Sequence, residues 1–171
     1  LDWKNKINRK PLILEGARQV GKTWLMQELG KNEYKNCVYI NFDRESWAKN
    51  LFEQDYDINR ILLQLQAQSN QRIIAGETLI IFDELQEAPR GLSVLKYFYE
   101  EAPEHHIVVA GSLLGITLHQ GESFPVGKVD VMQVKPLTYI EFLYAMGEDI
   151  KAMCIEEKRW DILKALAPQY E

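Results

Sequence analysis

Along this chain, short apolar runs alternate with polar stretches in which apolar residues return every three or four positions. Five runs have the length of a single strand: Pro11-Leu12-Ile13-Leu14, Cys37-Val38-Tyr39-Ile40-Asn41-Phe42, Thr78-Leu79-Ile80-Ile81-Phe82, His106-Ile107-Val108-Val109-Ala110-Gly111-Ser112 and Val129 to Val134. Nearly continuous apolar runs such as the third and fourth predict strands buried on both faces, as in a parallel sheet. Helical patterns lie between them. Trp24-Leu25-Met26-Gln27-Glu28-Leu29 follows the first run, and Asp43-Arg44-Glu45-Ser46 opens a second helical region. Asp57 is an N-cap for Ile58 to Ile73, where Ile58, Ile61, Leu62 and Leu65 share one face. Pro89 starts a segment carrying Leu92, Leu95, Lys96, Phe98 and Tyr99, and Pro103 stops it. Residues 113 to 129 are punctuated by glycine and hold Pro125, which predicts a loop or hairpin. Thr138-x-x-Glu141 is a capping box ahead of Ile140, Phe142, Leu143 and Met146, and a last helix is expected from Ile155 to Leu166. Alternating strands and helices predict a doubly wound α/β fold, a five-stranded parallel sheet between two helical layers. Residues 1–135 form its core on this reading, and 136–171 a helical segment leading toward a further C-terminal domain.

Ligands of such sheets bind at the carboxyl ends of the strands, and the candidate chemistry falls there. Gly16-Ala17-Arg18-Gln19-Val20-Gly21-Lys22-Thr23 reads G-x-x-x-x-G-K-T between the first strand and the first helix. The glycines let backbone N–H groups curl around phosphates, and the new helix aims its positive end at the same anion. Lys22 supplies a point charge for the β- and γ-phosphates, and the Thr23 hydroxyl can hold Mg²⁺. Gly16, Ala17, Arg18, Gln19, Val20, Gly21, Lys22, Thr23 and Trp24 are therefore the candidate nucleotide-binding residues. Asp83, at the tip of the third strand, is the carboxylate that holds the metal directly or through water. Glu84, one residue on, is placed to orient and deprotonate an attacking water. Ser112, after Gly111 at the tip of the fourth strand, is a candidate sensor of the γ-phosphate. Arg44, Arg90 and Lys128 are candidates for the extra positive charge that the transition state needs.

Composition narrows the function. A formal charge of −5 argues against an extended nucleic-acid surface, although residues 1–35 carry eight basic against four acidic side chains. The cluster Lys4, Lys6, Arg9 and Lys10 reads as a solvated leading segment. No apolar run approaches 18 residues and no leader pattern is visible, so no membrane span and no signal peptide are expected. The chain opens on Leu1, as a piece of a longer protein would. Cys37 and Cys154 lack any C-x-x-C spacing and read as free thiols in a reducing cytoplasm. His105 and His106 are adjacent, a poor spacing for metal chelation, and read as a surface turn. Guanine recognition through Asn-Lys-x-Asp is missing, since Asn5-Lys6-Ile7-Asn8 precedes the glycine loop and lacks the Asp. Adenine is favoured. No cluster of arginines for a second phosphate acceptor is present, which disfavours a small-molecule kinase.

Four ordered motifs carry a family resemblance: Leu12 to Thr23, Ile81-Phe82-Asp83-Glu84-Leu85-Gln86-Glu87-Ala88-Pro89, Ala110-Gly111-Ser112-Leu113-Leu114-Gly115 and Ser123-Phe124-Pro125-Val126-Gly127-Lys128-Val129. Together they resemble the bacterial and archaeal AAA-superfamily ATPases that carry a C-terminal domain of unknown function, over about residues 3 to 145. The resemblance implies strand order 5-1-4-3-2, Mg-ATP as ligand, Lys22 and Thr23 on phosphate and metal, Asp83 on Mg²⁺, Glu84 as catalytic base and Ser112 as first sensor. That family often has Arg where this chain has Lys128, so a point charge replaces a bidentate fork. Three functions compete on these grounds: an ATPase coupled to conformational change, a slow nucleotide-gated switch that self-associates or binds a protein partner, and a DNA-handling motor.

Overall fold

The computed structural model of this chain describes residues 2–88, 90–111, 125 and 127–166. Five strands form one parallel sheet: β1 Leu12–Glu15, β2 Asn36–Asn41, β3 Thr78–Asp83, β4 His106–Ala110 and β5 Asp130–Gln133. Their order is β2-β3-β4-β1-β5, which is the expected 5-1-4-3-2 read from the other edge. Successive side chains of a strand point to opposite faces, and the core divides accordingly. Ile13, Val38, Ile40, Ile80, Phe82, Ile107 and Val109 pack on one face, and Leu12, Leu14, Leu79, Ile81, Val108 and Ala110 on the other.

Helices cover both faces. The first face is closed by α2 Ser46–Lys49, α3 Ile58–Ser69 and α4 Gly91–Glu101 through Ala48, Ile58, Ile61, Leu65, Val94, Leu95 and Phe98. The second is closed by α1 Lys22–Glu33 through Met26 and Leu29, joined by Trp3. Phe82 is fully buried at the centre of the first face, edge-on to Phe42 and Phe52 and near Phe98. Phe82→Ala should cost about 3–5 kcal/mol of folding stability, a large share of a domain's total. The check is urea unfolding followed by circular dichroism, and a loss below 1 kcal/mol would contradict this packing.

Several local expectations need correction. The helix begun at Asp57, whose carboxylate accepts from the N–H groups of Asn59 and Arg60, ends at Ser69 and not at Ile73. Asn70 adopts φ 51° and caps it through its N–H to Gln66 O, while Gln66 Oε1 accepts from Ile73 N–H. An αL asparagine after a helix is a stop signal. The pair His105-His106 is no surface turn: His106 is buried within β4, its Nδ1 2.7 Å from Tyr34 Oη. Burial, with Arg9 and Lys4 nearby, pushes its imidazole down to about 4, so it is neutral at pH 7. The basic leading segment is not simply solvated either. Trp3 Nε1 donates to Lys10 O, Lys4 reaches Glu33 and lies over the Tyr34 ring, Lys6 pairs with Asp130, and Arg9 donates to Pro103 O. Pro89 and the loop 113–124 lie outside the described residues.

Contacts divide the chain into two compact units, Leu1–Val134 and Lys135–Glu171. In the second, the capping box forms as expected: Thr138 Oγ1 accepts from Glu141 N–H, and Thr138 N–H donates to Glu141 Oε2. It opens α5 Tyr139–Ala145, which α6 Asp149–Glu156 and α7 Trp160–Leu166 follow. The single helix expected from Ile155 to Leu166 is thus two. Lys158 takes φ 57°, and Arg159 N–H closes back onto Cys154 O at 2.7 Å, a C-cap that no glycine announces. Tyr144 Oη ties α5 to α6 through Glu156.

Candidate functional site

Strand register sets the level of the site. Leu14 pairs with Ala110, Ala110 with Asp83, and Asp83 with Asn41, so the ends of four strands lie in one row at the carboxyl edge of the sheet. From β1 the chain turns through Gly16 and on into α1. Gly16 has φ 153°, and a β-carbon there would lie 2.2 Å from Val134 O, so only glycine lets the loop pass under the end of β5. Gln19 and Gly21, at φ 63° and 89°, complete the curl. Gly21 caps α1 without a side chain, and the first turn carries no acidic residue. Its N–H groups are left for an anion.

A cleft of about 600 Å³ opens over this edge, lined by Arg18, Gln19, Gly21, Lys22, Thr23, Trp24, Asp43, Asp83, Glu84, Gln86 and Glu87. Lys22 is 9% exposed and lies folded back, donating to Gly16 O at 2.9 Å and Ala17 O at 2.6 Å. Thr23 Oγ1 donates to Asp83 Oδ2 at 2.9 Å across 60 residues of sequence. These two oxygens are hard donors suited to Mg²⁺, and a hydroxyl and one carboxylate beside a phosphate cradle fit an ion that keeps several waters and takes its remaining ligands from phosphate. Among the described residues no group of three or more His, Cys, Asp or Glu forms a separate metal site.

Asp83 is held from behind by residues the motifs do not contain. Tyr39 Oη donates to Asp83 Oδ2 at 2.7 Å, and Asn41 Nδ2 donates to Tyr39 Oη at 3.2 Å. Burial foremost, with the Asp83 carboxylate adding to it, pushes the Tyr39 phenol up to about 12, which keeps it a neutral donor. Asn41 Oδ1 accepts from Asp43 and Arg44 N–H, shaping the turn that brings Asp43 to the cleft. Tyr39 and Asn41, with polar ends at alternate positions of β2, were the signal for this pair. Gln86 and Glu87, in the 3₁₀ turn Leu85–Glu87, were likewise missed as cleft residues.

The structure brings together most of the residues singled out from sequence. Arg18, Gln19, Gly21, Lys22, Thr23, Trp24, Asp83 and Glu84 share the cleft, with Gly16 and Ala17 on the Lys22 ammonium. Val20 lies in the loop without lining it. Ser112 lies outside the described residues. Two of the three cations considered for the transition state are engaged elsewhere: Arg90 donates to Tyr56 Oη and Glu53 O, and Lys128 pairs with Glu100 at 2.9 Å. Arg44 is exposed, in the turn that Asn41 shapes.

A glycine loop between the first strand and first helix, a carboxylate on a non-adjacent strand and a parallel sheet of this order define a P-loop nucleotide-binding α/β domain. Residues 8–143 match a family described as an AAA domain, and the chain belongs to it. No curated protein matches the sequence. Among solved structures, similarity is found to C. elegans PCH-2, at 17% identity and TM-score 0.47 over 93% of this chain and 42% of that one. Similarity is also found to Drosophila ORC bound to AT-rich DNA and Cdc6, at 11% identity and TM-score 0.45 over 81% of this chain and 53% of that one. The chain thus spans about half or less of each. No helix of the described residues is long and apolar enough to cross a membrane.

Proposed function

We propose that this chain binds Mg-ATP in the cleft and hydrolyses it to ADP and phosphate, coupled to a conformational change, with residues 1–135 as the catalytic core. The observation that carries this reading is the meeting of Thr23 Oγ1 and Asp83 Oδ2 directly after the Lys22 cradle. Lys22 leaves its two carbonyls for the phosphates, and the open first turn of α1 adds N–H donors. Thr23 and Asp83 would hold Mg²⁺. Held there, Mg²⁺ would supply positive charge against the negative charge of the phosphates. Glu84 takes the proton of the attacking water. Trp24, 63% exposed, also lines the cleft. The free thiols of Cys37 and Cys154 support a reducing, cytoplasmic setting.

Affinity should favour ATP over GTP by at least about tenfold, roughly 1.4 kcal/mol. Displacement of a fluorescent ATP analogue by the two nucleotides, alongside phosphate release from each, tests the reading. Equal displacement, or no phosphate release from ATP at any magnesium concentration, counts against it.

A slow, switch-like turnover has support of its own. With Arg90 and Lys128 committed to Tyr56, Glu53 and Glu100, Arg44 remains of the three candidate cations, and a donor supplied in trans by a second copy of the chain would be worth about 10³ to 10⁵ in rate. A DNA-handling role keeps no separate support from the leading segment, whose cations are largely spent on internal contacts.

A further inference from the structure

Tyr39, Asn41 and Asp83 project from one face of the sheet. Side chains two residues apart on a strand share a face, and Asn41 stands opposite Asp83 in the parallel register of β2 and β3. Tyr39 packs against the cluster that α1 covers, the helix that opens on Lys22 and Thr23. Each hydrogen bond in this row has a fixed direction. Asn41 Oδ1 accepts from the N–H groups of Asp43 at 3.1 Å and Arg44 at 3.0 Å, so the amide cannot turn over without setting its NH₂ against two donors. Its Nδ2 therefore donates to Tyr39 Oη, 3.2 Å away. The phenol has one proton to give, and it goes to Asp83 Oδ2 at 2.7 Å. Thr23 Oγ1 donates to the same oxygen at 2.9 Å, and Glu84 N–H donates to Oδ1 at 3.1 Å. A carboxylate offers about four lone-pair sites, two on each oxygen. Bonds among the described residues thus fill both sites of Oδ2 and leave one on Oδ1.

We infer that Tyr39 determines the metal specificity of the site: by occupying Oδ2 it bars Asp83 from holding a cation through both oxygens, and so favours Mg²⁺ over Ca²⁺. This rests on the reading of Thr23 and Asp83 as the residues that hold Mg²⁺. Thr23 keeps its proton on Oδ2 while the lone pairs of its own oxygen stay free for an ion, so that bond and a metal are compatible. Mg²⁺ retains several waters and needs only one or two carboxylates, so the single site left on Oδ1 serves it, directly or through water. Ca²⁺ collects about six to eight oxygens and often takes a carboxylate through both. Selection between the two ions follows ligand number and flexibility. Asp83, 3% exposed and bonded on both oxygens, is restricted in each respect. Without the phenol proton, Oδ2 regains a lone pair and the carboxylate regains freedom to turn, and both changes favour the larger ion.

The test is Tyr39→Phe, which keeps the ring and removes only the hydroxyl. Binding of an ATP analogue with an imido group between the β- and γ-phosphorus is followed by calorimetry in Mg²⁺, in Ca²⁺ and in EDTA without added metal, so that no turnover intervenes. Chelation of each metal by the free analogue is the same for both proteins and cancels in the comparison. In the variant the ratio of affinities, Mg²⁺ over Ca²⁺, should fall about tenfold, the order of one hydrogen bond to a charged group. Affinity in EDTA should stay within about twofold of the wild type. Asn41→Asp keeps the test open should Tyr39→Phe not fold: its second oxygen draws the phenol proton away from Asp83, and the same fall in the ratio is expected. A fall of less than about threefold, whether both affinities hold or drop together, or a shift toward Mg²⁺, overturns the role of Tyr39, which would then only brace β2 against β3. Loss of affinity in EDTA also overturns it, because the damage would then reach the phosphate loop. If neither metal alters binding to the wild type, the reading of Thr23 and Asp83 as metal holders fails, and the specificity of Tyr39 fails with it.

Discussion

Glu84→Gln is expected to bind Mg-ATP as the wild type does and to hydrolyse it about 10²- to 10⁴-fold more slowly. Length and shape are kept, and the new amide oxygen can still accept from Gln86 Nε2, so the geometry of the turn survives. What is lost is basicity. An amide accepts a hydrogen bond from water but not its proton, so the loss falls on kcat and not on nucleotide affinity. Asp83, one residue earlier, bonds Thr23 and Tyr39 instead, so the proposed metal role falls to it and not to Glu84. Calorimetry for binding and steady-state phosphate release for turnover separate the two effects. Wild-type turnover in the variant would mean that another group takes the proton.

Lys22→Ala is expected to show the opposite pattern, a loss of nucleotide affinity with the fold intact. Lys22 is 9% exposed, and its ammonium lies on the carbonyls of Gly16 and Ala17. A charge-assisted hydrogen bond to phosphate is worth about 1.5–3 kcal/mol, so Mg-ATP affinity should fall by about tenfold to a hundredfold. The backbone donors and the α1 terminus remain, which is why some binding persists. Far-ultraviolet circular dichroism should be unchanged, because the carbonyls left behind lie in a loop that opens to the cleft. Affinity within a factor of two of wild type in calorimetry would mean that phosphate does not bind at this loop.

Much of this was legible in the chain. The apolar runs mark all five strands within a residue or two, because a parallel sheet buried on both faces demands continuous hydrophobicity and leaves little else for Thr78–Asp83 or His106–Ala110 to be. The glycine loop and Asp83-Glu84 stand at fixed offsets from strand ends in the sequence, and the fold brings both to one cleft. Helix ends were read less well where the backbone stops without glycine, at Asn70 and Lys158.

Local pattern, then, determined the elements, the family and the sheet edge that carries the glycine loop, because periodicity and short-range spacing act within one or two turns of chain. Tertiary structure decided what depends on contacts between distant segments. It turned His106 inward against Tyr34 and set the leading basic residues on Glu33, Pro103 and Asp130. It also withdrew Arg90 and Lys128 from the cleft and placed Tyr39 behind Asp83. Each of these is a pairing of charge or hydrogen bonds across the fold, and no spacing along the chain encodes which partner a cation or a phenol will meet once the sheet has brought distant segments together.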